Sequence, residues 1–438
     1  MILLSTTILG SLLPLVPTVL AINNGVGQLP VLGYNSKRES CCNIDQTLIM
    51  ETANLLQSFG LQAAGYNQMN LDDCWGEKNR TADGVLQANA ERFPSGFNNL
   101  TDQLHEMGFK AGIYSDSGWR TCQDYPGSFQ NEALDAETFQ NWGFDYLKYD
   151  NCYIPYDDII REGTMGRFQR MADAIANLSS TTEQPPLVYS LCEWGWSQVW
   201  LWGANMANSW RVDNDIAASW DSIASIINLA SFISQATNFY GRNDMDIVTR
   251  GNGGLTYEEN KSHWTAWALF RSPLLIGTNL SAISTEIVDI LTNPEIIAIH
   301  QDPVVGTSIA PFRWGINPDW TSNSTFPAQY WSGPSQNGTV FMLFNTLSEP
   351  ADMFFNLTES PWIRAGRQYS VRDLWTHTDN GTAIRNFTAA SVPAHGVVAL
   401  LLADAGDEPA GIEPLCAVYC QCGSENGTYL YGGCTTEY

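Results

Sequence analysis

The sequence predicts a (β/α)8 TIM barrel followed by an antiparallel β-sandwich. Three observations carry this reading. From Val31 onward, short apolar runs alternate with amphipathic helical patterns; eight such runs occur before the helix ending near His300; and beyond about Pro311 the pattern changes to short strands divided by Gly, Asn and Pro turns. A chain of 438 residues is too long for one average domain and suits a large barrel with an appended module.

Strands are expected at Val31 to Tyr34, Tyr66 to Leu71, Lys110 to Tyr114, Tyr146 to Tyr149, Leu187 to Leu191, Ser209 to Val212, Asn238 to Tyr240 and Pro273 to Ile276. Helical patterns fill the gaps, from Gln46 to Gly60 through Tyr257 to Phe270. A last barrel helix can start at Asn293-Pro294, a capping residue followed by a first-turn proline, and gives out before Pro303. Sandwich strands are expected at Gln329 to Trp331, Val340 to Phe344, Met353 to Phe355, Tyr369 to Val371 and Gly396 to Leu402. Met1 to Ala21 is uncharged, has an apolar core and ends in small residues, so a cleaved secretory signal is expected there. The barrel then spans 22–310, the β-domain 311–403 and a Cys-rich tail 404–438.

Composition narrows the function. Lys+Arg number 21 against Asp+Glu 46, and the net charge of -25 with a pI near 4.3 argues against nucleic acid and against an acidic substrate. After the signal no segment is apolar enough to span a bilayer, so no membrane partner is expected. Asn-X-Ser/Thr sequons recur from Asn79 to Asn426, which suits a secreted protein carrying N-linked glycans. Ten cysteines in a secreted chain imply disulfides; the cluster Cys416, Cys420, Cys422 and Cys434 could pass for a zinc site, but two local bridges fit secretion better.

The chemistry concentrates at strand ends. Lys148 and Asp150 lie two apart, so a cation and a carboxylate share one face at the C-terminal end of the fourth strand, where parallel barrels place their sites. A structural ion pair is the competing reading of this one motif. Other strand ends add Asp72-Asp73-Cys74-Trp75, Tyr114-Ser115-Asp116 with Cys122 beyond, Cys192-Glu193-Trp194, Arg211 to Asp215, and Asn243-Asp244-Met245-Asp246. Asp215 precedes a helix and could equally be its N-cap. The five histidines have no metal-ligand spacing, and no G-x-S-x-G elbow, Walker loop or Gly-rich dinucleotide turn occurs, so neither metal nor cofactor is expected. Acids, aromatics and a few cations remain, the components of glycoside hydrolysis.

In this order, the motifs from Asp72-Asp73-Cys74-Trp75 to Asp215-Ile216 resemble those of the α-galactosidase (melibiase) family, glycoside hydrolase family 27, in its fungal form, over about Gly33 to Asp302. The resemblance implies a retaining exo-α-galactosidase with Asp150 as nucleophile and Asp215 as acid/base. It places Asp72, Asp73 and Lys148 on the O3, O4 and O6 side of galactose, Glu193 and Arg211 on the 2-hydroxyl, and Tyr114 beside the nucleophile. Cys122, Trp194 and Asp246 complete the expected substrate-binding set. It also implies disulfides Cys42 with Cys74 and Cys122 with Cys152, and leaves Cys192 a buried thiol at the pocket wall. Two departures stand out: Lys37 follows Gly33-Tyr34-Asn35-Ser36 where relatives carry an aromatic residue, and Arg242 replaces the usual aromatic before Asn243, which together bear on the stacking wall and the leaving-group side. The expected substrate is an oligosaccharide or galactomannan with terminal α-galactose. Rival readings are an α-N-acetylgalactosaminidase or β-L-arabinopyranosidase of the same fold, and, from another class, a non-catalytic sugar-binding barrel.

Overall fold

The computed structural model describes residues 22–37, 42–248, 253–314, 323–412, 422–426 and 428. The expected signal segment, Cys41, Cys416, Cys420 and Cys434 lie outside the described residues, whereas Cys422 lies inside them and is disulfide-bonded.

Eight short strands form one parallel sheet: β1 (Leu32–Asn35), β2 (Gln68–Asn70), β3 (Lys110–Asp116), β4 (Tyr146–Asp150), β5 (Val188–Cys192), β6 (Ser209–Arg211), β7 (Arg242–Asp244) and β8 (Leu274–Ile276). Neighbours run in chain order from β1 to β7, and β8 pairs back onto β1. Val248, just past β7, bridges Ile276 in parallel: its amide donates to the Leu275 carbonyl at 2.8 Å and its carbonyl accepts from Gly277 at 3.1 Å. That bridge closes the barrel. Apart from the starts of β3 and β5 the strands are buried on both faces, as a sheet walled by helices requires; β8 is apolar throughout, whereas the other strands bury polar side chains as well.

The wall is built by α1 (Gln46–Ser58), α2 (Phe97–Glu106), α3 (Glu132–Asn141), α4 (Tyr156–Arg161), α5 (Gly163–Thr182), α6 (Trp220–Ile233), α7 (Tyr257–Leu269), α8 (Thr285–Leu291) and α9 (Pro294–His300). Their starts follow local chemistry. Asp45 caps α1 by accepting from the Leu48 amide at 2.8 Å, Thr256 and Glu259 form a capping box on α7, and Asn293 caps α9 ahead of Pro294. Ser219, not Asp215, caps α6, which leaves the Asp215 carboxylate free for another task.

The seventh strand corrects the sequence reading. Asn238 to Tyr240 forms a tight turn with a single Asn238–Gly241 bridge, and the strand is the polar triplet Arg242-Asn243-Asp244. Its side chains are buried because each is bonded: Arg242 donates to the Gly27 and Gln28 carbonyls at 2.7 and 2.8 Å, and the Asn243 side chain accepts from Trp210 Nε1 at 2.8 Å. Arg242 sits at the strand's start, tied to the segment before β1, and forms no part of the cavity at the other end. The expectation that it alters the stacking wall is overturned by that placement.

Beyond the barrel, β9 (Ala310–Arg313), β10 (Tyr330–Ser335), β11 (Gly338–Phe344), β12 (Ala351–Asn356), β13 (Arg367–Asp373), β14 (Thr378–Ile384), β15 (Asn386–Val392) and β16 (Val397–Asp407) make a six-stranded antiparallel sheet and a β12–β15 pair. From Val340 to Phe344, β11 is apolar without a break because it serves two cores. Phe341 and Leu343 face the small sandwich core, while Val340, Met342 and Phe344 join the cluster that runs through the barrel. Phe344 packs on Trp220 of α6 at 5.2 Å between ring centroids, and His395 stacks on the same indole at 3.9 Å.

Candidate active site

At the C-terminal rim of the barrel a cavity of about 590 Å³ is lined by Lys37, Asp72, Asp73, Tyr114, Cys122, Gln123, Asp150, Cys152, Trp194, Asn214 and Asp215. That volume lies within the range of small-ligand sites. Cys74, Tyr153, Trp194 and Asp246, following β2, β4, β5 and β7, all have positive φ without being glycine. Each such residue costs roughly 1–3 kcal/mol, so the surrounding rim must hold these four bends in place.

Parallel pairing sets the floor. β3 and β4 align Tyr114 with Lys148 and Asp116 with Asp150, so the four side chains are pairwise neighbours on adjacent strands. The Tyr114 hydroxyl donates to Asp150 Oδ2 at 3.0 Å and the Asn151 amide to Oδ1 at 3.0 Å, which fixes both oxygens of the carboxylate. Asn151 is itself held by Arg167, whose guanidinium donates to its Oδ1 at 2.6 Å and to Ser117 Oγ at 2.6 Å. Asp116 is fully buried behind Asp150 and accepts from the Gly118 and Cys152 amides at 2.7 and 3.0 Å. Burial, and then the neighbouring Asp150 charge, push its carboxyl well above the usual range. Asp116, Cys122, Asp150 and Cys152 crowd together closely enough to suggest a metal site, but the two sulfurs are joined in a disulfide and supply no thiolate.

Lys148 points its ammonium at Asp72, 2.7 Å away, with both side chains about a tenth exposed or less. Burial works against each charge, yet the partner outweighs it: Asp72 is held below and Lys148 well above its ordinary range. Removing one member of such a pair strands the other and costs about 3–5 kcal/mol. Lys148→Met is accordingly expected to lower the thermal midpoint sharply, and adding Asp72→Asn to restore part of the loss; differential scanning calorimetry of the two variants reads this. Asp73 accepts from the Cys74 and Gln123 amides at 2.7 and 2.9 Å, and burial still pushes its carboxyl up to about 6. The Cys42–Cys74 disulfide anchors its turn, and Cys122–Cys152 ties the loops after β3 and β4 together. Gly118 permits that closure, since a Cβ there would lie 1.9 Å from the Cys152 carbonyl oxygen.

Across the cavity, Asp215 is more than half exposed. Lys37 Nζ reaches both its oxygens at 2.8 Å, and Arg211 approaches Oδ1 at 3.3 and 3.4 Å. Burial alone would raise this carboxyl; the Lys37 ammonium and then the Arg211 guanidinium hold it far below the carboxylate range instead. Arg211 is buried and also pairs with Asp246 at 2.8 Å, and Asp246 accepts from the Ile216 amide, so the β7 rim braces the turn carrying Asp215.

The structure thus gathers Asp72, Asp73, Tyr114, Cys122, Asp150, Trp194 and Asp215 on one cavity. Lys148, Arg211, Asp246 and Cys192 line a narrow space beneath it. Glu193 is fully buried and lines neither; both carboxyl oxygens lack a partner among the described residues, and burial pushes the group up to about 8. Lys37, Gln123 and Asn214 line the cavity without having been expected as site residues. Lys37 was visible only as a departure from an aromatic position, and nothing near it in sequence points to a partner 178 residues away.

Residues 32–302 match the family described as alpha galactosidase A, and residues 325–402 match the alpha galactosidase C-terminal beta sandwich domain. A probable alpha-galactosidase B of Talaromyces emersonii is 37% identical over 424 residues, 86% of this chain and 93% of that protein. The crystal structure of alpha-galactosidase I from Mortierella vinacea superposes with a TM-score of 0.79 at 32% identity, covering 89% of this chain and 100% of that one. A Saccharomyces cerevisiae alpha-galactosidase solved with raffinose gives a TM-score of 0.77 at 29% identity over 87% and 99% of the two chains.

Proposed function

The chain belongs to the alpha-galactosidase (melibiase) family of glycoside hydrolases, and from that premise we propose a secreted retaining exo-α-galactosidase that removes terminal α-galactosyl residues from galacto-oligosaccharides and galactomannan side chains. The observation that carries this is the presence of Asp150 and Asp215 on one sugar-sized cavity. Asp150, its oxygens fixed by Tyr114 and the Asn151 amide, attacks the anomeric carbon as the glycosidic bond breaks. Asp215 gives its proton to the departing oxygen, then takes one from the water that opens the glycosyl-aspartate. Double displacement returns the α-anomer.

Asp72, Asp73 and Lys148 supply acceptors and a donor for the hydroxyls on one side of the ring, and Trp194 supplies an apolar face. Arg211 is assigned to the 2-hydroxyl; Glu193, fully buried and lining neither space, is not placed to reach it in this structure. Raffinose in the yeast relative supports an oligosaccharide ending in α-galactose. Secretion is supported by the uncharged apolar start of the chain and by the two disulfides at the rim. N-linked glycans are assigned to exposed sequons such as Asn79 and Asn177; Asn260 is buried in α7 with its amide bonded to the Thr256 carbonyl, and is left bare.

The reading is tested by inactivation with a fluorinated galactosyl mechanism-based reagent followed by peptide mass mapping. Label on Asp150 is expected, and label on any other carboxylate overturns the assignment. Rates on the nitrophenyl glycosides of α-galactose, α-N-acetylgalactosamine and β-L-arabinopyranose are expected to rank galactose first.

A further inference from the structure

A lysine bridging both oxygens of a general acid is an unexpected partner. The proton that Asp215 must donate competes directly with the ammonium that occupies its two acceptor positions. Lys37 is about a quarter exposed, at the cavity mouth after β1, and its ammonium is bonded to both Asp215 oxygens at 2.8 Å. We propose that Lys37 is a positioning residue for Asp215, clamping it in the ionised state so that proton donation to the leaving group, rather than attack by Asp150, limits the first half of the reaction. This rests on Asp215 being the acid/base.

The charges around the pair support the arrangement. Asp215 faces Lys37 from the β1 loop, Arg211 from β6 and, at longer range, Lys148 from β4. Burial and the Lys148 ammonium from β4 work against the charge on Lys37, while Cys192 at the end of β5, Asp246 after β7 and Asp72 after β2 favour it. Three cations thus favour the carboxylate, and its most direct contact is Lys37. The proton for the first step comes from solvent: it joins Asp215 as the Lys37 hydrogen bonds are released, then passes to the glycosidic oxygen as the bond to the anomeric carbon breaks and that to Asp150 forms. Each unit of pH above the carboxyl's pKa lowers the proton-bearing fraction about tenfold. A leaving group that departs without protonation, such as nitrophenolate, avoids this penalty, whereas a sugar alkoxide does not.

The test is the pH profile of kcat/KM on melibiose and on 4-nitrophenyl α-galactoside for the full chain and its Lys37→Met, Lys37→Gln and Lys37→Arg variants. Losing the cation is expected to move the alkaline limb for melibiose upward by at least about one pH unit and to narrow the nitrophenyl-to-melibiose ratio about tenfold. Lys37→Arg is expected to keep the parent profile. An alkaline limb and a ratio unchanged in both Met and Gln variants overturn the proposal. Asp215→Asn run alongside separates the two levels: full activity on melibiose would remove the acid/base assignment itself, while a loss there together with unmoved Lys37 profiles would remove only the clamp.

Discussion

Replacing Asp150 by Asn is expected to lower kcat on 4-nitrophenyl α-galactoside by about 10⁴-fold or more, the scale on which enzymes lose a covalent nucleophile. The amide keeps the shape and can still accept from Tyr114, so the fold should stand and the loss report chemistry. An activated leaving group cannot compensate, because the missing step is attack on carbon. Shortening the side chain to Gly opens space for azide, which would approach from the face Asp150 vacates. The expected product is β-galactosyl azide, identified by its NMR coupling constant. Unimpaired turnover by Asp150→Asn would end the double-displacement account.

Asp215→Gly is expected to behave differently. With melibiose, loss of the proton donor should lower kcat/KM by about 10²- to 10⁴-fold, whereas nitrophenolate leaves unaided and the first step should be nearly spared. Deglycosylation then becomes slow for want of a base, so KM falls together with kcat. Azide needs no base and should restore turnover, giving α-galactosyl azide because it enters after one inversion has already occurred. Opposite anomers from the two Gly variants would assign the two carboxylates independently. The same azide product from both, or comparable losses on both substrates with Asp215→Gly, would contradict the division of roles.

Most of the barrel was legible because its signals are local. Apolar runs mark seven strands, and period-two spacing puts Lys148 with Asp150, and Tyr114 with Asp116, on shared faces. The seventh strand was misplaced for a physical reason: Asn238-Phe239-Tyr240 has the aromatic content of a strand, while Arg242-Asn243-Asp244 is buried only through tertiary hydrogen bonds that no propensity registers. β14 and β15 were missed on similar grounds, being largely exposed and polar. In the site, carboxylates at strand ends could be read directly. What could not be read was which groups touch, since Lys37 meets Asp215 only after the barrel has closed, and Glu193 is turned away from the cavity lining by the Trp194-Gly195 bend.

The double allegiance of β11 has a thermal corollary. Because alternate side chains of one ribbon are shared between the two lobes, melting either lobe would bare an oily wall on the other, and neither has a cheap way to come apart first. Heating should therefore give one calorimetric endotherm rather than a pair, and a chain cut off before Ala310 should precipitate rather than survive as a smaller hydrolase.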